Sequence, residues 1–256
     1  MSWSGFKKAV NRATTSVAQN LGAMEKTVDR EYEEEERRYK VLETKVEKLH
    51  KEAKGYLDSV RAMTLAQTRI ADTVDRFYEG VNGGMGYGAL KYRETISKMD
   101  EEARTLLDSN YRAAVLDPLG RFVGVFPEVN EAVKRRQKKL LDYDRLRSGV
   151  RKLIEKPSDD ASKLPRAEAE ANQAREVYER LNGQLMEELP KLVDLRVPYL
   201  DPCFEALVKS QLAFSQDAHE RLSALQQHMG QGQNVEGAVE GVLQQMRDLS
   251  ICGGAV

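Results

Sequence analysis

At 256 residues, with 32% charged side chains and a mean hydropathy of -0.59, the chain has room for one or two domains and too little apolar sequence for a membrane-spanning protein. No apolar run approaches the roughly 18 to 20 residues a spanning helix needs, and no secretory signal core opens the sequence, which points to the cytoplasm. The 40 Lys and Arg balance 41 Asp and Glu to a net charge of -1, so any charged surface must arise by segregation. Cys203 and Cys252 stand alone, which speaks against a disulfide framework or a zinc site. Cys252 is the fifth residue from the end and Ser2 replaces the glycine of a myristoylation signal, so no lipid anchor is expected.

Residues 1–22 differ from the rest in carrying Lys7, Lys8 and Arg12 and no acid. Trp3, Phe6, Val10, Ala13, Val17 and Leu21 step by three and four and fall within an arc of about 80° on a helical wheel. An apolar stripe led by Trp and Phe beside a basic flank suits a membrane-inserting helix lying in a bilayer interface. So short a helix is marginal in water and would fold on contact; the competing expectation is an arm packed against the body.

From Asp29 the pattern lengthens. After an acidic run at Glu31 and Glu33–Glu36, placed to suit a helix N-terminus, positions 39, 42, 46, 49, 53, 56, 60, 63, 67, 70, 74 and 77 alternate by three and four, with Gln67 the polar member. More than five heptads of seam predict a long helix in coiled-coil packing. Gly80–Gly88 reads as a connection, since a phosphate-binding loop would need a preceding strand and a following Lys-Ser or Lys-Thr.

A second helical region spans about 90–156, with a kink or restart expected at Asp117-Pro118 and Pro127. Within it Val129, Val133, Leu140, Tyr143, Val150 and Ile154 gather on one side, and Lys134, Lys138, Arg145 and Lys152 on the other. Lys134–Lys156 holds ten Lys or Arg against Asp142, Asp144 and Glu155, a local balance of +7 that points to an anionic partner surface; a solvated coiled-coil face is the plainer reading. Lys156–Asp160 is a turn. The third region runs from Lys163 to about His228, with bends expected at Pro190, Pro198 and Pro202, and residues 231–256 form a tail with a short helix or none. Three histidines offer little to catalysis: His219-Glu220 begins a zinc-protease box, but Ser223 stands where its second histidine belongs, and no nucleophile elbow is present. No enzyme, cofactor or metal is expected, and nucleic-acid binding is disfavoured because aromatics do not interleave with the cations.

These pieces together resemble the N-BAR domains of the amphiphysin group. The likeness is carried by KLHKEAKGYLDSVRAM at 48–63, DPLG at 117–120, RRQKKLLDYD at 135–144 and YERLNGQLMEELPKL at 178–192. MSWSGFKKAVNRA and TVDREYEEEERRYK look most like small fungal amphiphysin-like proteins. The resemblance implies an all-α, kinked, three-helix antiparallel coiled coil over residues 23–230, pairing into a crescent-shaped homodimer or heterodimer with an N-terminal amphipathic helix at 1–22. It implies anionic headgroup binding by Arg135 and Lys138, and more loosely by Arg151, Lys152, Lys156 and Lys163; the helical wheel adds Lys134 and Arg145. It also implies curvature sensing or generation in endocytosis and cortical actin organisation, peripheral on the plasma membrane. Longer relatives carry an SH3 domain, so an SH3-bearing paralogue and actin-associated endocytic proteins are the expected partners. The alternative is a cytoskeletal or signalling adaptor in polarity or cytokinesis.

Overall fold

The runs spaced by three and four fold as helices throughout. The computed structural model describes residues 3–81, 83–229 and 235–249, and every regular element among them is helical. In chain order these are α1 (Trp3–Asn20), α2 (Arg30–Phe77), α3 (Gly84–Glu102), α4 (Asp108–Tyr111), α5 (Asp117–Glu155), α6 (Lys163–Asp194), α7 (Arg196–Gln226) and α8 (Val235–Arg247). Two π-helical turns, Ala103–Leu107 and Arg112–Leu116, join α3, α4 and α5. The chain divides into two compact units, one of the residues up to Ala53 with Val115–Phe204, the other of Lys54–Ala114 with everything from Glu205 onward.

In the first unit, Tyr32, Tyr39, Leu42 and Val46 of α2 meet Phe122, Phe126 and Val133 of α5 and Leu185, Leu189 and Val193 of α6 in one buried cluster. Tyr39 donates its hydroxyl to the Phe126 carbonyl at 3.3 Å and to Asn130 Oδ1 at 3.0 Å, while Asp29 reaches Arg136 and His50 lies against Gly120. Partner numbers fall along α5 as they rise along α2, so the two helices are antiparallel. The same ordering, with Arg136 on Asn182 and Tyr143 stacked on Tyr178, makes α5 and α6 antiparallel across the turn that follows Glu155. Asp160 closes that turn by accepting the Ser162 N–H at 3.0 Å and the Ser162 hydroxyl at 2.7 Å.

In the second unit the rest of α2 runs antiparallel to α3. Thr64 donates to Asp100 at 2.7 Å within the core, Arg61 pairs with Asp108, and Arg93 pairs with Asp75 at 3.0 Å. Ala71, Ile96 and Met99 form a small core with Tyr92 and Ala218 against it. The end of α7 returns along α3: Arg221 reaches Glu102 at 2.6 Å, and the His228 carbonyl lies 3.1 Å from where a Cβ on Gly88 would sit.

The packing departs from the expected heptad seam on α2. Tyr39, Leu42, Val46, Ala53 and Val60 are buried as expected, but Leu57, Thr64 and Ala71 are buried in place of Tyr56, Met63 and Ile70. Leu57, Val60, Thr64 and Ala71 each lie eighteen residues beyond Tyr39, Leu42, Val46 and Ala53. Eighteen residues are five turns of a straight α-helix, so the core follows the helix's own pitch of about 3.6 residues per turn while a heptad stripe drifts by about 20° per repeat. Leu49, Met63, Ile70 and Phe77 drift out to the surface.

α5 begins at Asp117 with Pro118 in its first turn, the restart expected there. Pro127 lies inside an unbroken α5, flanked along the helix by buried Phe126 and Val133, so tertiary anchoring outweighs a local cost of about 3 kcal/mol. Pro190 and Pro202 lie inside α6 and α7, whose boundary falls at Leu195. Two π-helical turns lead into that restart, the second ending at Leu116, and composition gave no cue to them. The glycine segment at 80–88 is only partly a connection. Gly80 adopts φ 78°, whereas helix begins at Gly84, and Gly86 is needed because a Cβ there would meet the Val81 carbonyl at 2.5 Å. In the tail, residues 235–247 are helical; positions 231–234 and 250–256 lie outside the described residues.

Burial dominates the titration of the core phenols. It pushes Tyr111 up to about 12 and raises Tyr32 and Tyr39 further. A raised folded-state pKa means stability is whole below the unfolded value near 10 and is lost as pH climbs towards the folded value. Melting temperature should therefore hold up to about pH 10 and fall steeply between about 10 and 12, with tyrosinate absorbance and loss of helical circular dichroism coinciding. Ionisation of Tyr32, Tyr39 and Tyr111 near pH 10 while the helices persist would contradict this.

Candidate membrane-binding surface

The surface is assembled on α5 by carboxylates that sequence counting treats only as subtractions from its charge. Asp144 is 1% exposed and accepts the Gln19 side chain at 2.8 Å, the Thr27 hydroxyl at 2.6 Å and the Thr27 N–H at 3.2 Å. A buried carboxylate is tolerated only when so supplied with donors. Two residues before it, Asp142 takes the Arg12 guanidinium as a fork, Nε to Oδ1 at 2.9 Å and Nη2 to Oδ2 at 2.6 Å, which raises the Arg12 pKa further. Asp29 caps α2 by accepting the Tyr32 N–H at 3.1 Å and also binds Asn182 at 2.8 Å. The chain from α1 to α2 is thereby tied to α5 and α6.

Arg136 is the cation that does not belong to the surface. It is 3% exposed, pairs with Asp29 at 3.2 Å, and donates to Asn182 at 2.8 Å and to the Tyr178 hydroxyl at 3.0 Å. Its guanidinium lies 3.5 Å from the Tyr32 ring centroid and 5.1 Å from that of Tyr178. On the helical wheel it sits between Leu140 and Tyr143, inside the apolar arc, and that position was the available sign of its burial.

α1 is already helical and docked on α5, against the expectation of an arm that folds on contact. Arg12, Thr15 and Gln19 share the face that meets α5, with Thr15 2% exposed. The opposite face carries the apolar stripe, with Trp3 83%, Phe6 56%, Val10 45%, Val17 57% and Leu21 78% exposed. The rings of Trp3 and Phe6 stack at 6.2 Å. Lys7 and Lys8 are exposed and make no ion pair among the described residues, whereas Arg12 is spent on Asp142.

Along α5, Lys134, Lys138, Arg145 and Lys152 fall within an arc of about 40° on the side away from the core, and Lys156 follows the helix's last residue. Lys134 pairs with Glu131 at 3.0 Å in an exposed, solvent-screened contact; Lys138, Arg145, Lys152 and Lys156 make no ion pair among the described residues. Arg145 is half-buried, and from Leu141 to Val150 no residue is fully exposed even on that outer side, because α1 lies over it. Arg135 is exposed and unpaired among the described residues but stands about 80° from the stripe. Arg151 is turned further, towards Glu155 at 3.0 Å and Glu25 at 3.6 Å. Lys163 is the first residue of α6, exposed beyond the turn. A cavity of about 640 Å³ opens between residues 22–25 and α5, but its Arg147 and Arg151 both face Glu25, so it is electrically balanced.

α1 turns an apolar face outward, the α5 row carries cations of which Lys138, Arg145 and Lys152 are unpaired among the described residues, and no helix among the described residues is long and apolar enough to cross a membrane. Residues 6–231 match the sequence profile of the BAR domain, and the chain belongs to the BAR domain family, whose members dimerise and bind membranes. It is similar to Protein hob3 of Schizosaccharomyces pombe, 52% identical with 99% of this chain and 98% of that protein covered. It is 46% identical to Reduced viability upon starvation protein 161 of Saccharomyces cerevisiae and 44% identical to Regulator of cytoskeleton and endocytosis RVS161 of Candida albicans, with 98% of each chain covered in both cases. Among solved structures the amphiphysin BAR domain from Drosophila superposes with a TM-score of 0.59 at 23% identity, covering 87% of this chain and 97% of that one. A BAR protein from Galdieria sulphuraria gives 0.63 at 12% identity, covering 78% and 97%; both likenesses bear on the fold.

Proposed function

We infer that the chain is a dimeric membrane-curvature scaffold acting in endocytosis and cortical actin organisation, a structural protein and not an enzyme. The observation that carries this reading is the pairing, on one unit, of an outward apolar face on α1 with the unpaired cations of α5. Basic residues near an anionic leaflet contribute on the order of 1 kcal/mol each, so one row is weak and a dimer's two rows are useful. Trp3, Phe6, Val10, Val17 and Leu21 supply the wedge beneath the headgroups. Lys7, Lys8, Lys134, Arg135, Lys138, Arg145, Lys152, Lys156 and Lys163 supply the attraction, with Arg12 and Arg151 contributing less because carboxylates already hold them.

On this reading, residues 1–22 insert, residues 23–230 scaffold and dimerise, and the tail is peripheral to both. Met63, Ile70 and Phe77, spaced by heptads and exposed on α2, support a second chain as the occupant of that face. We take that chain to be a second copy or an SH3-bearing amphiphysin-like paralogue, with actin-associated endocytic proteins recruited at the plasma membrane. The names of the Saccharomyces and Candida relatives are consistent with such a setting.

Deleting residues 2–22 separates this from an adaptor that binds only proteins. The truncated chain should still sediment weakly with anionic vesicles through α5 but lose its ability to tubulate them. Tubulation at the intact level after the deletion would count against the wedge.

A further inference from the structure

We propose that α8 is an intramolecular strap, which seats its apolar face in a groove that the second unit leaves between α7 and the first π-helical turn. The proposal goes beyond the membrane reading and does not depend on it, since α8 lies outside the residues 6–231 that match the family profile. Two observations within the second unit carry it.

The first is a hollow. A cavity of about 300 Å³ opens between Met99, Ala103 and Leu107 on one wall and Ser210, Ala213 and Phe214 on the other. Three of these six are alanine or serine, and the π-helical turn Ala103–Leu107 is wider than an α-turn, so the two walls do not meet. Met99, Ala103 and Leu107 are buried, so the hollow reaches the unit's core. Walls that face an unfilled space forfeit the dispersion contacts a partner would supply. The Met63, Ile70 and Phe77 stripe of α2 takes no part in them.

The second is a helix without a surface. Every residue from Gly237 to Leu249 is exposed, and Val239, Val242, Leu243 and Met246 share an arc of about 100°. Thirteen residues are too few for a stable helix alone in water, and Gly237 and Gly241 each cost about 1 kcal/mol against alanine. A bilayer is the wrong partner. Residues 235–249 carry Glu236, Glu240 and Asp248 against Arg247, a balance of -2 that an anionic leaflet repels.

Helix and hollow match in spacing and in reach. Ser210, Ala213, Phe214 and Asp217 stand at i, i+3, i+4 and i+7, and Val239, Val242, Leu243 and Met246 repeat that pattern over about 10 Å. The chain leaving α7 is held at the start of α3, where the His228 carbonyl lies 3.1 Å from a Cβ position on Gly88 and the His228 ring stands edge-on to Tyr87 at 5.6 Å. Six peptide steps lead from Met229 to Val235, about 20 Å when extended. Folding back antiparallel to α7 takes about 12 Å along the helix and about 10 Å across, a path of about 16 Å. That brings Leu243 over Ala213 and Met246 over Ser210, long side chains onto short ones. Asp217 and Glu102 at the rim are already held by Arg221, at 2.8 and 2.6 Å. A tether this short sets a millimolar effective concentration, which favours the chain's own α8 over a second copy's.

The test uses the full chain throughout. Amide exchange over residues 237–247 should be about tenfold slower in the parent than in Leu243→Asp/Met246→Asp, and residues 99–110 and 210–217 should exchange several-fold faster in that variant. Both substituted side chains are exposed, so the substitutions leave the buried packing intact. A second variant combines Ser210→Cys, Met246→Cys and Cys252→Ser, with Cys203 left in place because it is buried. Mild oxidation of dilute protein should join positions 210 and 246 within one chain, read as a faster-migrating monomer and mapped by mass spectrometry of the linked peptides. The same link formed between chains gives the groove to a second copy and overturns the proposal. Protection of α8 that appears only on adding vesicles of phosphatidylcholine and phosphatidylserine gives the helix to the bilayer and overturns it as well. So does equal exchange in parent and Asp variant, or the absence of any link between 210 and 246.

Discussion

Arg136→Ala should destabilise the protein by about 3–5 kcal/mol, the usual cost of removing one partner from a buried ion pair. The loss strands the Asp29 carboxylate, the Asn182 amide and the Tyr178 hydroxyl, and it uncovers the face of the Tyr32 ring. In a domain of this size the melting temperature should fall by roughly 10 °C. Lysine should rescue little of this, because one ammonium cannot donate in the fork that reaches Asn182 and Tyr178 while lying flat on Tyr32. The adjacent Arg135→Ala, at an exposed site, should stay within about 0.5 kcal/mol of the parent. Urea unfolding of the three variants decides the matter. An Arg136→Ala chain as stable as Arg135→Ala would mean that the buried network holds nothing together.

Reversing Lys134, Arg135 and Lys138 to glutamate should bring sedimentation with anionic vesicles down to background. Three reversals change each chain by six charges and a dimer by twelve. At about 1 kcal/mol per basic residue near the leaflet, the six cations of a dimer represent about 6 kcal/mol of attraction, which the substitution converts to repulsion. The three side chains are exposed and their single ion pair, Lys134 with Glu131, is a surface contact, so the helical signal and melting temperature should hardly move. Binding by the parent should weaken steeply as salt shortens the Debye length. Triple-glutamate protein that still sediments like the parent would remove α5 from the membrane contact.

What was legible in the sequence was what depends on periodicity. Helix content, the long α2, the turn after Glu155 and the apolar stripe of α1 follow from side chains spaced by three and four, and such spacing is a property of one helix. The family likeness was legible as well, because it lies in contiguous stretches. The misses all depend on a second element. Leu57, Thr64 and Ala71 displaced Tyr56, Met63 and Ile70 from the core because neighbouring helices select the face a straight helix offers them. Arg136 counted as surface charge until Asp29 and Asn182, far away in sequence, were found around it. Asp142 and Asp144 read as interruptions of a basic run, and only the docked arm shows that they receive Arg12, Gln19 and Thr27. The π-helical turns at 103–107 and 112–116 carry neither glycine nor proline.

The eighteen-residue recurrence along α2 bears on how such a rod could change length. Removing seven residues would rotate everything beyond the cut by about 20° against its neighbours, a small error that compounds with each further excision. Taking out five whole turns, about 27 Å, would restore phase in one step, provided the opposing helices shortened equally. Span in this architecture is therefore quantised coarsely, and gradual trimming shifts the azimuth of every later side chain before it yields a shorter rod in register.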